Sequence, residues 1–117
     1  MLFLEYPPCS TCKKAKKWLM DHGVEFTARH IKENNPTAGE ISLWQEKSGL
    51  ELKKFFNTSG LVYKDLGLKD KLPTMSREEQ LDLLASNGML VKRPIVVTED
   101  AVLVGFKEKD WEKLLQK

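Results

Sequence analysis

The chain has 117 residues, 41% hydrophobic and 31% charged, which is the composition of one folded domain and excludes a disordered chain. A formal net charge of +2 is too small to point to a nucleic-acid partner or to a trap for acidic substrates. No apolar run approaches the ~20 residues of a membrane helix, and Met1-Leu2-Phe3-Leu4 lacks the basic leader and cleavage site of a signal peptide. The expected location is the cytoplasm, where a cysteine pair is more often reactive than structural.

Leu2-Phe3-Leu4-Glu5-Tyr6 predicts a first strand, ended by Pro7-Pro8 because proline cannot donate to a sheet ladder. A helix is predicted from about Ser10 to His22, closed by Gly23. At 100° per residue, Cys12, Ala15, Trp18, Leu19 and His22 share one arc and Lys13, Lys14, Lys16 and Lys17 the other. One face therefore packs on a sheet, and the lysines read as its wet face. Val24 to Ile31 predicts a second strand, parallel to the first because a helix joins them. Thr37 with Glu40 and Ser76 with Glu79 are capping boxes. The first opens a helix carrying Ile41, Leu43 and Trp44 and ending at Gly49. The second opens one carrying Leu81, Leu83, Leu84 and Ala85, stopped by Asn87-Gly88. Between them, Glu51 to Phe56 predicts a short helix, Asn57-Thr58-Ser59-Gly60 a turn and Tyr63 to Leu68 a helical turn. Pro94 to Thr98 and Ala101 to Gly105 are β-branched runs separated by Glu99-Asp100, a hairpin pattern. A last helix, about Lys107 to Leu115, presents Trp111, Leu114 and Leu115, and with Trp18 and Trp44 the tryptophans read as core. The order β-α-β, helical insert over about 32–90, β-β-α predicts an α/β fold in one domain, 1–117, built on a mixed four-stranded sheet.

The chemistry centres on Cys9-Ser10-Thr11-Cys12. Cys9 falls where the first strand meets the first helix, and the free N–H groups of a helix start favour thiolate over thiol. Cys12 is one turn on, within reach of a disulfide. Cys9 reads as the exposed nucleophile and Cys12 as the covered resolving thiol. A bare C-x-x-C also binds zinc, but there is no second C-x-x-C, and the only histidines, His22 and His30, are not at finger spacing. An inert buried pair is the other alternative. The Arg93-Pro94 junction is expected at the same sheet edge, where Arg93 would hold a thiolate or an anion. A surface arginine ahead of a strand is the plain alternative, and the residues alone leave these two open. The Asn57-Thr58-Ser59-Gly60 turn likewise reads as either a plain turn or a polar lip over the thiol.

Tyr6-Pro7-Pro8-Cys9-Ser10-Thr11-Cys12-Lys13-Lys14-Ala15 resembles the active-site segment of the arsenate reductase/Spx family. Leu90-Val91-Lys92-Arg93-Pro94-Ile95-Val96-Val97 resembles its second signature, and Phe56-Asn57-Thr58 and Tyr63-Lys64-Asp65-Leu66-Gly67-Leu68 its helical insert. The resemblance implies a thioredoxin-like fold, a nucleophile at Cys9 and a cis proline at Pro94. It implies three arginines around an oxyanion in the arsenate reductases, of which Arg93 has a counterpart, while Asn57 stands at the first place and the third falls on or near Phe106. It implies a resolving cysteine at Cys12 in the Spx-like members, which bind the RNA polymerase alpha subunit; Ser59 stands where those members carry an arginine. The resulting candidates are Cys9, Cys12 and Arg93 for catalysis and Ser10, Thr11, Asn57 and Pro94 for substrate binding. The expected substrate is a thiol or disulfide, or a small oxyanion. No bound cofactor is required, and glutathione, glutaredoxin or thioredoxin is the expected reductant.

Overall fold

A computed structural model describes residues 1–115, with side-chain surroundings through residue 113. Four strands, β1 (Leu2–Glu5), β2 (Thr27–His30), β3 (Ile95–Val97) and β4 (Val102–Val104), form one sheet in the order β2-β1-β3-β4. β1 and β2 are parallel, with Leu2 opposite Thr27, and helix α1 (Ser10–Asp21) makes the crossover. β3 runs antiparallel to β1, with Leu4 opposite Ile95, and β4 antiparallel to β3. The mixed sheet expected from the order of elements is therefore present. The start of β3 lies beside the end of β1, because the two strands run in opposite directions.

Side chains alternate across a strand, and β1 divides its neighbours accordingly. Phe3 packs with Ala15, Trp18 and Leu19 of α1 and with Trp111 of α6 (Glu108–Leu115). Leu4 packs on the opposite side with the insert, which comprises α2 (Ala38–Ser48), α3 (Leu61–Asp65), α4 (Leu68–Lys71) and α5 (Arg77–Ser86). Both capping boxes form: the Thr37 and Ser76 hydroxyls accept the N–H groups of Glu40 and Glu79, whose carboxylates accept the N–H groups of Thr37 and Ser76.

Several boundaries differ from the sequence pattern for local reasons. The second strand starts at Thr27, not Val24, because the Val24 N–H is still bonded to the Leu19 carbonyl at the end of α1. Glu51 to Phe56 contains a 3-10 turn over Leu52–Phe55. The helical turn expected at Tyr63 begins at Leu61 and breaks at Gly67, whose φ of 64° interrupts it before α4. His22 shares the arc of Trp18 but is exposed. As the residue closing α1 it stacks on the Trp18 ring, centroids 3.9 Å apart, with Nδ1 2.8 Å from the Trp18 carbonyl oxygen. Trp111 is buried as expected; the side chains of Leu114 and Leu115 lie outside the described surroundings.

Two links fasten the insert to the sheet. Arg29 of β2 donates to both Glu40 oxygens, at 2.7 and 3.0 Å, and to the carbonyls of Asn34 and Asn35. At the other end, Asn57 N–H donates to Leu90 O and Lys92 N–H to Phe55 O, both at 2.7 Å, around a bridge pairing Phe56 with Val91. Gly88 sits tight at this end; a Cβ there would collide with the Ile31 carbonyl and the Asn35 side chain.

Two outcomes follow for stability. The Arg29 guanidinium, against some opposing burial and with help from the Thr37 N–H, holds the Glu40 carboxyl at about 2. A depressed carboxyl stabilises the fold fully above its unfolded pKa of ~4.3, and that contribution is lost as pH falls from there through the folded value. Denaturation midpoints measured from neutral pH downward will show this acid loss, and Arg29→Met will flatten it. Gly88→Ala will lower the unfolding free energy by about 3 kcal/mol, the upper end of overpacking costs, because backbone cannot step aside as a side chain can; a urea titration reads it directly.

Candidate functional site at the start of the first helix

The turn after β1 delivers Cys9. Pro7 and Pro8 are its two exposed middle residues, and the Cys9 N–H closes it on the Tyr6 carbonyl at 2.8 Å. Proline at these places fixes φ and asks for no hydrogen bond. Cys9 then becomes the residue capping α1, with extended backbone (φ −73°, ψ 125°), and its carbonyl accepts the first helical bond from Lys13 N–H at 3.0 Å. Its thiol is half-buried and free.

The two sulfurs sit in opposite environments. Burial pushes the Cys9 thiol up, but the backbone N–H of Cys12, the Arg93 side chain, the Cys12 thiol and the Thr11 N–H together hold it below its ordinary value. Cys12 is fully buried, and burial pushes its thiol up to about 12, against the pull of the Tyr6 backbone N–H and with the charge at Cys9 adding to the rise. Tyr6 N–H lies 3.5 Å from Cys12 Sγ. Ionisation is thus favoured at Cys9 and disfavoured at Cys12.

Arg93 reaches the same place through the sheet. Its guanidinium carbon stands 4.8 Å from the centroid of the Tyr6 ring, and the Tyr6 ring meets His30 edge-on, centroids 5.8 Å apart. His30 is itself fixed, its Nδ1 accepting the N–H groups of Lys32 and Glu33. Arg93 Nη1 is the one buried side-chain polar atom without a partner among the described residues. A buried cationic donor left unpaired is costly, and an anionic group would complete it. The Arg93–Pro94 peptide is cis, and Pro94 is buried, its carbonyl accepting Gly105 N–H at 2.8 Å.

Of the residues singled out in the sequence, Cys9, Cys12 and Arg93 are brought together, with Pro94 next to Arg93. Ser10 and Thr11 are exposed on the first turn of α1, beside Cys9. Asn57 is half-buried in the strip bonded to Leu90, and no hydrogen bond among the described residues joins its side chain to Cys9, Cys12 or Arg93. Phe106 packs edge-on against Trp18 and Trp111. No group of three His, Cys, Asp or Glu among the described residues could hold a metal ion, and no described helix is long and apolar enough to cross a membrane.

Sequence reasoning passed over three features. Tyr6 carries the Arg93 guanidinium, and its only signal was an aromatic residue just ahead of the diproline. Glu5 is a buried acid, signalled by a charge inside an apolar strand. A cleft of about 500 Å³ lined also by Val104 and Gly105 gathers Lys53, Lys54, Lys92 and Lys107 from separate segments, so no linear pattern revealed it.

The model of the ArsC family matches residues 4–114. The chain belongs to the ArsC family. It is 55% identical to the uncharacterised protein YusI of Bacillus subtilis over 113 residues, 97% of this chain and 96% of that one. It is 30% identical to the regulatory protein MgsR of the same organism, over all of this chain and 91% of that one. The crystal structure of an ArsC family related protein from Bacteroides fragilis superposes with a TM-score of 0.94 at 64% identity, covering 97% of this chain and 95% of that one. ArsC-family likeness confirms the thioredoxin-like α/β fold expected from the sequence.

Cys9 alkylation should remain fast below the pH range of an ordinary thiol, because its ionised form is favoured. Arg93→Met removes one lowering contribution and will move the alkylation profile to higher pH. Tyr6→Ala, which removes only the ring beneath the guanidinium, will move it in the same direction by less. Iodoacetamide rates followed by mass spectrometry across pH 5–9 check both.

Proposed function

We propose that this ArsC-family chain is a thiol–disulfide oxidoreductase in which Cys9 is the nucleophile and Cys12 the resolving thiol. The observation that carries the reading is the contrast between two sulfurs one turn apart: one half-exposed and favoured as thiolate, the other buried and kept as thiol. Cys9 thiolate attacks one sulfur of a disulfide, forming a mixed disulfide and expelling the other sulfur as thiolate. Cys12 then attacks Cys9, and the second half of the substrate leaves as a thiol. The protein ends with a Cys9–Cys12 disulfide, two electrons having passed to the substrate. Glutathione, glutaredoxin or thioredoxin returns them in the cytoplasm, and no bound cofactor takes part. Arg93 and the start of α1 steady the thiolate, Ser10, Thr11 and Asn57 are the proposed substrate contacts, and Pro94 shapes the wall against which the substrate chain lies.

A small oxyanion is the weaker substrate. The unpaired Arg93 nitrogen suits an anion, but Asn57 is neutral and Phe106 is committed to an aromatic cluster, so one cation stands where three are needed. At ~1.5–3 kcal/mol for each charge-assisted bond, two missing cations amount to several kcal/mol. Arsenate turnover with glutathione and glutaredoxin is expected at background. A second reading draws on the similarity to MgsR, a regulatory protein: the same dithiol would switch affinity for the RNA polymerase alpha subunit. A pull-down with the alpha C-terminal domain, with and without oxidant, separates the two, and no binding in either state removes the regulatory reading.

Reduction of a small aromatic disulfide by the whole protein tests the main proposal. Cys9→Ser is expected to abolish it, and Cys12→Ser to accumulate a mixed disulfide visible by intact mass. Undiminished reduction by Cys9→Ser overturns the assignment.

A further inference from the structure

β4 is an edge of the sheet, and no strand among the described residues pairs beyond it. Thr98 N–H donates to Ala101 O at 2.9 Å and Gly105 N–H to Pro94 O at 2.8 Å, at the two ends of the β3–β4 ladder. Backbone groups alternate in direction along an antiparallel strand, so Ala101, Leu103 and Gly105 bond toward β3. Val102 and Val104 then point their N–H and C=O groups outward, and no hydrogen bond among the described residues engages them there. Val102 packs with the insert and Leu103 with the layer of α1 and α6, so this edge looks out between the two layers. A cleft of about 240 Å³ follows it from Ala101 to Gly105, with Lys47 and Ser48 of α2 on one side and Asp110 and Trp111 of α6 on the other. Leu50, Val104, Gly105 and Lys107 also line the cleft of about 500 Å³ that holds Lys53, Lys54 and Lys92, so the two make one groove. Its five lysines face only two carboxylates, Glu51 and Asp110, a surplus of three positive charges where the whole chain carries +2. None of the five is in an ion pair among the described residues.

We infer that this groove receives an extended acidic segment of a partner protein, which adds to β4 as a fifth strand. The outward N–H and C=O groups of Val102 and Val104 supply the ladder bonds, and the lysines take the segment's carboxylates. Leu50, Phe56 and Val104, set among the lysines, offer an apolar surface to the side chains between those carboxylates. β4 is only three residues long and forms few ladder bonds, so charge supplies much of the affinity and salt weakens it. Lysines along an edge deter strands that are neutral or basic, which leaves an acidic strand as the one that fits. A second copy of this chain is disfavoured for the same reason, since pairing β4 with β4 sets the lysines against one another. A nucleic acid has no row of peptide groups to match the edge, and it would meet Glu51 and Asp110.

A fluorophore-labelled peptide of alternating Glu and Val, titrated with the full chain and followed by anisotropy, tests this. Lys53→Glu combined with Lys107→Glu should weaken binding ~fivefold or more; both side chains are exposed, so the core is untouched. Methylating alternate backbone nitrogens of the peptide keeps its charge and removes its ladder donors, and should cost ~tenfold or more. Deuterium exchange at the Val102 and Val104 amides should slow in the complex. The same peptide with Lys in place of Glu should not bind. Absence of binding at millimolar peptide, unchanged affinity in the double variant, or a methylated peptide within ~twofold of its parent overturns the inference. Unslowed exchange at Val102 and Val104 also overturns it, and displacement of the peptide by a thymidine oligonucleotide in that case assigns the lysines to a nucleic acid. Cys9→Ser should bind the peptide as the wild type does, so this inference and the dithiol reading stand or fall separately.

Discussion

A sulfur anion half out of water persists only where donors replace the water it has lost, and the arrangement around Cys9 supplies them from two directions. One source is local: the diproline turn stops the chain from continuing as strand and starts a helix whose free N–H groups surround the thiol. The other is distant in sequence. Arg93 comes from the far side of the insert and arrives because β3 pairs antiparallel with β1, placing its beginning at the end of β1. The Tyr6 ring beneath the guanidinium keeps it there.

The same element that stabilises one sulfur buries the other. α1 turns its apolar stripe toward the sheet, and Cys12 is the first residue of that stripe. One turn of helix therefore separates a thiol in contact with solvent from a thiol sealed against it. The proposed roles of attacker and resolver rest on that difference in surroundings, since the two side chains are chemically identical. On the same side of the sheet, Glu5 is buried with its carboxylate paired to Lys16 of α1.

The insert serves the site indirectly. Its apolar side covers the face of the sheet opposite α1, and its two attachments, Arg29 with Glu40 and the Phe56–Val91 bridge, hold the segment that leads into Arg93. It also contributes Lys53 and Lys54 to a cleft that Lys92 and Lys107 line from outside the insert. Relatives of this chain include an uncharacterised protein and a regulatory protein, and one fold can carry different functions.

The capping boxes at Thr37 and Ser76, the hairpin, the stripe of α1 and the Cys9 helix start were legible because each depends on residues within a few positions of one another, where side-chain spacing and backbone geometry decide the outcome. The start of β2 was not, because the bond from Val24 to Leu19 competes locally with strand pairing, and His22 was not, because closing a helix outranks its position on the apolar arc. Whether Arg93 faced a thiol or solvent, and that Glu5 would be buried against Lys16, depended on strands and helices from distant parts of the chain coming together. Electrostatic surroundings and the exclusion of water belong to the packed layers, so the sequence alone named the candidate residues and only tertiary structure decided how different their surroundings are.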